Sequence, residues 1–327
     1  MSTVAHRTSF EEIAERYIRH KRALGLRFDL QARTIGSLGG FLARAKATDL
    51  DQVQFEAWCA TQRHLNANVR RGFQNIVRKL CLYRRRIEPD CYVPDPLRFA
   101  RRCPHRAPVI FGPAEVARML QTITELAPNP QFPLRLAVLR LVVVLLYTAG
   151  LRRGELVHLT LGDVNVHDGT LMIRESKFHK SRIVPLSLDA KHELRAYLKV
   201  RLAPPWDISP TSALFGHHHG SLQFRGYRGA AIGRAVTEVL RATQVRDPHG
   251  RLARVHDFRH SFAVQALLRW YRAEADVQSQ LPKLAMYMGH VSIVSTAYYL
   301  RWIPEIAEAA SARFARQFGH LIPGDRP

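Results

Sequence analysis

Near the end of the chain a histidine and an arginine stand three residues apart in His256-Asp-Phe-Arg259, followed by Gly289-His290 and then by the pair Tyr298-Tyr299. Residues three apart share a face of a helix, so His256 and Arg259 can offer one proton acceptor and one fixed cation to a single phosphate. A tyrosine hydroxyl, with an ordinary pKa of about 10, is a weak nucleophile at neutral pH. It becomes competent when a base takes its proton and cations hold the charge that builds on phosphorus. Upstream, Ala149-Gly-Leu-Arg152-Arg-Gly-Glu155 supplies a second placed arginine, and the stretch from Leu171 through Lys177 to Leu186 supplies a lysine. The chemistry that suits these types in this order is attack of a tyrosine on a phosphodiester.

Elements must bring these residues together. Phe10, Ile13, Tyr17 and Ile18 fall at helical spacing behind an acidic first turn, and further helices are expected over about 30–45, 50–65 and 69–86. The last of these alternates an apolar stripe with the cations Arg70, Arg71, Arg78, Lys79, Arg84 and Arg85. It reads as a helix lying along nucleic-acid phosphates, the plainer alternative being a solvated face. Pro94, Pro96, Pro104 and Pro108 rule out a long helix and mark a basic linker, 94–108, between a helical domain at 1–93 and a larger domain at 109–327. In the larger domain helices are expected at about 113–125, 134–148, 189–201, 229–243, 256–271, 281–289 and 303–317. Strands with turns at Asp168-Gly169 and around 176–179 occupy the interval from Leu161 to Leu186. His217-His218-His219 reads as a loop, since consecutive side chains diverge and make a poor metal cage. The fold class is mainly α with a small antiparallel sheet in the C-terminal domain.

Composition agrees with that placement. A chain of 327 residues with 46% hydrophobic content can bury two cores. Lysine and arginine number 49 against 27 acidic residues, a net +22 spread from Arg7 to Arg326, which fits a protein that wraps a polyanion. Cys59, Cys81, Cys91 and Cys103 form no C-x-x-C pair and read as reduced packing residues of a cytoplasmic protein rather than a zinc site. The chain opens with no charged-then-apolar leader. The apolar run Leu139 to Tyr147 is too short to span a bilayer and reads as a buried helix.

Taken together, Arg152, Lys177, His256, Arg259, His290 and Tyr299 resemble, over roughly residues 107–320, the signature of the tyrosine recombinases, the phage integrase family. Residues alone leave Arg152 against Arg153, Lys177 against Lys180 and Tyr299 against Tyr298 open, and the family's spacing selects the first of each pair. The resemblance implies a two-domain, C-shaped DNA clamp, a helical SAM-like core-binding domain joined to an integrase-like catalytic domain. It implies that Arg152 and Arg259 grip the scissile phosphate, that Lys177 protonates the departing 5′-oxygen and that His256 accepts the proton of Tyr299. His290 would donate to a phosphate oxygen and Glu155 would hold a neighbour in place. Tyr299 would become joined to the DNA 3′ end, with no metal, ATP or other cofactor. Relatives work as tetramers on double-stranded DNA and exchange a C-terminal helix, for which Ile303, Ile306, Ala309, Ala310 and Phe314 would be the apolar stripe. Integration, excision or transposition of a mobile element, beside partner recombinases or DNA-bending proteins, would be the task, with the protein on the nucleoid when DNA-bound. Two positions depart from the pattern: Arg301 stands where many relatives carry a histidine, and Met288 stands where leucine is common.

Other classes fit less well. A two-metal nuclease needs clustered carboxylates, and Asp163, Asp168 and Glu175 crowd into one expected β region. A type IB topoisomerase-like nicking and resealing enzyme shares the chemistry, but the compact two-domain length favours a recombinase. A DNA-binding protein without catalysis would not need all six catalytic residue types.

Overall fold

The computed structural model describes residues 9–104, 106–174, 181–219, 223–289, 308, 311–312 and 314–316, with backbone alone at 218, 219 and 223. They divide into two compact units, Met1–Arg106 and Ala107–Pro327.

The first unit holds four helices, α1 (Phe10–Ala23), α2 (Asp29–Arg44), α3 (Gln52–Ala60) and α4 (Ala67–Arg84). Ser9 and Glu12 close a reciprocal capping box at the start of α1, and Asp51 and Asn66 accept backbone N–H groups at the starts of α3 and α4. Apolar residues at three- and four-residue spacing, Ile13 and Tyr17, Ile35, Leu38 and Leu42, Val77 and Leu80, meet around Trp58 in one core. In α4 the buried set is Gln74, Val77, Leu80, Cys81 and Arg84, so Arg84 lies in phase with the core. Its guanidinium is satisfied there by the Asp49 carboxylate and, at 2.7 Å, by Glu88. The chain beyond Tyr92 then runs back along α4. Arg78 donates to the Pro94 carbonyl and Arg71 to that of Ala100 at 3.0 Å. Gln74 accepts from the Ala100 amide, and Asn68 exchanges two bonds with the Cys103 backbone. Much of the proline-punctuated stretch is therefore tied to its own helix.

The second unit is built on α6 (Arg135–Thr148), whose Leu141 to Leu146 are all buried. This is the helix expected from the apolar run. Around it stand α5 (Pro113–Glu125), α8 (Leu188–Arg201), α9 (Gly229–Ala242) and α10 (Asp257–Arg272). A three-stranded antiparallel sheet in the order β1 (Val164–Asn165), β2 (Thr170–Ile173), β3 (Arg182–Pro185) fills the expected interval, with Gly169 at φ +65° in the first turn. The last described full helix, α11 (Val277–Met288), packs Leu281, Leu284 and Met288 against Ala263, Val264 and Leu267 of α10. It starts four residues before the expected position because Asp276 caps it.

Three described elements, one short helix and two strands, differ from the sequence reading. A short helix, α7 (Arg153–His158), follows Arg152 directly. The histidine run is not a loop: Gly216–His219 forms β4, paired antiparallel with β5 (Gln223–Gly226). The His217 ring lies 5.6 Å from Phe132 and 4.9 Å from Tyr227, so aromatic packing holds a strand that polarity alone hides. No helix among the described residues is long and apolar enough to cross a membrane.

Candidate active site

The turn into α10 places His256 and Arg259. Asp257, fully buried, accepts from the Arg254 backbone N–H at 2.9 Å and from its guanidinium at 2.8 Å. Ser261 donates to the Asp257 carbonyl and accepts from the Phe111 amide, both at 2.8 Å. With Phe258 also buried, the first turn of the helix is locked from three sides. His256 stands at its N-cap. Arg259, only 1% exposed, points inward and donates to the Gly150 and Met288 carbonyls.

Arg152 reaches the same place from α7. Glu155 accepts the Arg152 backbone N–H at 2.9 Å and its guanidinium at 2.7 Å, both bonds running from Arg152 to the one carboxylate in the first turn of α7. The other Arg152 nitrogen donates to the Gly289 carbonyl at 2.9 Å. From β3, Arg182 meets both Glu155 oxygens at 3.0 and 2.9 Å and the Tyr287 carbonyl at 2.7 Å. Three arginines from three elements thus take the consecutive carbonyls of Tyr287, Met288 and Gly289. The last carbonyls of a helix lack partners within it, and its C-terminus favours cations. This end of α11 receives both at once. Gly289 itself sits at φ +65°, where an added Cβ would lie 3.0 Å from the Arg182 guanidinium, so glycine is required for conformation and for space.

The electrostatics follow from that packing. Burial alone pushes the Glu155 carboxyl up, but hydrogen bonds and charge from Arg182, then Arg152, outweigh it and hold it below the usual carboxylate range. One carboxylate against three permanent cations leaves the site positive, as a phosphate requires. Burial, followed by the Arg259 charge, holds the His256 imidazole below its ordinary value, with Asp257 pulling the other way. His256 therefore stays neutral at physiological pH and can accept a proton. Its ring stands edge-on to His260 at 4.8 Å, and His260 is pushed down to about 4, by burial first and by His256 next. Beside His256 opens a groove of about 860 Å³ rimmed by Arg153, Arg234, Arg241 and Arg254.

Of the expected catalytic set, the structure brings Arg152, His256 and Arg259 together with Glu155, while Lys177, His290 and Tyr299, like Tyr298, lie outside the described residues. Arg182 was missed. The face it occupies shows only in the structure: Val184 is fully buried and Ile183 60% exposed, so residue 182 shares the inward face with 184. On α4, Lys79 and Arg85 are exposed and Arg70 is half-buried. Arg71 and Arg78, also half-buried, hold the chain that returns along the helix. Arg84 is corrected: buried and paired with two carboxylates, it is a core ion pair and not a phosphate contact. Of the carboxylates weighed for metals, Asp163 is engaged by Arg174 and by Thr160 at 2.9 Å and Asp168 by Asn165 at 2.7 Å and His167 at 2.9 Å, while Glu175 lies outside the described residues. Among the described residues no three His, Cys, Asp or Glu side chains gather as metal ligands.

Comparison with known proteins adds the following. The model of the phage integrase family matches residues 111–304. A Sinorhizobium fredii protein named as a candidate integrase/recombinase, y4rE, is 31% identical over 92% of this chain and 94% of its own length. The tyrosine recombinase XerD of Vibrio cholerae is 24% identical over 75% of this chain and 74% of its own. Among solved structures, the Tn1549 transposon integrase in complex with a circular intermediate DNA superposes with a TM-score of 0.64 at 16% identity, covering 94% of this chain and 99% of that one. The XerH recombinase bound to its palindromic difH substrate gives 0.62 at 16% identity, covering 94% and 84%.

Proposed function

Because this chain belongs to the phage integrase family, and is therefore a tyrosine-type site-specific DNA recombinase, we propose that the arginine-capped end of α11 holds the scissile phosphate and that Tyr299 attacks it. The observation that carries this is the convergence of Arg152 and Arg259 on the Gly289 and Met288 carbonyls, directly before His290 and ten residues before Tyr299 in the chain. Each of those guanidinium nitrogens carries a second N–H, so both can turn toward a phosphate without leaving the helix end. The Tyr299 oxygen forms a bond to phosphorus as its proton passes to neutral His256, and the bond to the 5′-oxygen breaks with a proton supplied by Lys177. His290 donates to a non-bridging oxygen. The 5′-hydroxyl of a partner strand then reverses the step, so bond energy is kept in the 3′-phosphotyrosyl link and no nucleotide or metal is consumed.

The first unit contributes DNA contacts through Arg70, Lys79 and Arg85, with Arg71 and Arg78 supporting the returning chain. Residues 1–93 act as the core-binding domain and 94–108 as the connection to the catalytic domain at 109–327, the two closing on a duplex as a clamp. The groove beside His256 carries the adjoining phosphates on the second unit. The working assembly is a tetramer joined by exchange of the C-terminal helix at 303–317, and the task is integration, excision or transposition of a mobile element, in the cytoplasm on the nucleoid. The test uses a site selected by binding from a random duplex library, placed twice on one plasmid. The expected result is site-dependent deletion or inversion in EDTA without ATP. Relaxation of supercoils with no exchange between sites, or a strict need for a divalent metal, would contradict the proposal.

A further inference from the structure

Arg182 is placed where three parts of the site must be held to one another. It is the first residue of β3, directly after the segment that contains Lys177. Its side chain is 11% exposed and all three guanidinium nitrogens are used. Nε goes to the Tyr287 carbonyl at 2.7 Å, and the two terminal nitrogens go to the Glu155 oxygens at 3.0 and 2.9 Å. Glu155, 4% exposed, uses the same two oxygens to hold the Arg152 backbone and guanidinium. The chain of contacts therefore runs from the strand that follows Lys177, through one carboxylate, to the phosphate-facing Arg152, and separately to the helix end that leads to His290.

We propose that Arg182 is a positioning residue for strand cleavage, setting Arg152 through Glu155 while fixing the end of α11 through Tyr287. The proposal rests on the recombinase reading above. A bidentate fork fixes direction as well as distance, and a lysine offers one point charge that cannot span the carboxylate and the carbonyl together. Without the fork, Glu155 still pairs with Arg152 but is free to swing, and displacements near 1 Å cost about 100-fold in rate. A residue that only stabilised the fold would lower the melting temperature and leave cleavage by folded protein unchanged.

The experiment compares wild type, Arg182→Lys and Arg182→Gln in single-turnover cleavage of a nicked suicide duplex at saturating DNA, with DNA affinity and melting temperature measured alongside. We expect both variants to bind the duplex as wild type does and to cleave it slowly at saturation. Arg182→Gln should be about 100-fold down and Arg182→Lys intermediate, because the lysine keeps one contact to Glu155. Wild-type cleavage rates in both variants at saturating DNA would overturn the proposal, as would effects confined to affinity or melting temperature. If Arg182→Gln shows no folding transition, Arg182→Lys decides alone. Failure of the wild type itself to form a covalent adduct would instead overturn the recombinase reading, and this proposal with it.

Discussion

Each residue of the site does its work through what it touches. His256 is held neutral by burial and by the Arg259 charge, and this sets a pH dependence. An ordinary histidine titrates near 6.5, and a lowered value keeps the base neutral until the pH falls beneath that. The acid limb of single-turnover cleavage is therefore expected below about pH 6.5, any alkaline limb belonging to the general acid Lys177. An acid limb with its half-maximal rate above about pH 6.5 would remove His256 from the role of base. Arg259 spans two carbonyls from different elements, Gly150 and Met288, which a lysine cannot do. Arg259→Lys should lower the cleavage rate at saturating DNA by roughly 10²–10³-fold, and cleavage within tenfold of wild type would contradict its phosphate role. That Arg152, Glu155, His256 and Arg259 belong to one place was legible in the sequence through the family's spacing, since residues alone left Arg152 against Arg153 open. Arg182 and Arg84 were not, because a cation's role depends on the face it occupies. One lies inward on a strand and the other inward on a helix, in a chain where most cations look alike.

At the scale of elements, the site depends on two positive-φ glycines that let backbone carbonyls meet arginines. Gly150, at φ +58°, has the Phe262 ring 2.5 Å from where a Cβ would stand. Gly150→Ala combines a left-handed alanine with overpacking, and denaturant unfolding should show roughly 2–5 kcal/mol lost. An unchanged midpoint would contradict the local packing described. On α4, two neighbouring regions should behave oppositely. Arg84→Met strands Asp49 and Glu88 in their partly buried pocket and should destabilise the first unit by about 3 kcal/mol, with no change in the salt dependence of DNA binding. Lys79→Ala should leave the melting curve alone and reduce the slope of log affinity against log salt by about 1. The reverse pattern would mean that Lys79 is structural and Arg84 meets phosphate. The sequence located α5, α6 and α8 closely, at 113–125, 134–148 and 189–201 against Pro113–Glu125, Arg135–Thr148 and Leu188–Arg201. It missed α7, which is a cap around Glu155 with little apolar period, and β4, where the His217 ring packs against Phe132 and Tyr227.

Across the whole molecule, a net charge of +22 and two compact units supply the long-range attraction and the fold, while the phosphate site we propose occupies one end of one helix. The mainly helical class and small sheet followed from hydrophobic period and turn signals. The convergence of α7, β3 and α10 on the end of α11 did not, because it is a tertiary arrangement linking residues 29, 105 and 137 positions apart. The central claim is that this convergence serves attack by Tyr299, and trapping the covalent adduct tests it most directly. Wild type, Tyr299→Phe and Tyr298→Phe are incubated with the nicked suicide duplex in EDTA, and the adduct is resolved on denaturing gels and mapped by peptide mass. With Tyr299 as the nucleophile that the family's spacing selects, a 3′-linked adduct is expected in wild type and in Tyr298→Phe and is absent from Tyr299→Phe. An adduct that survives Tyr299→Phe, or one attached elsewhere in the chain, would contradict it.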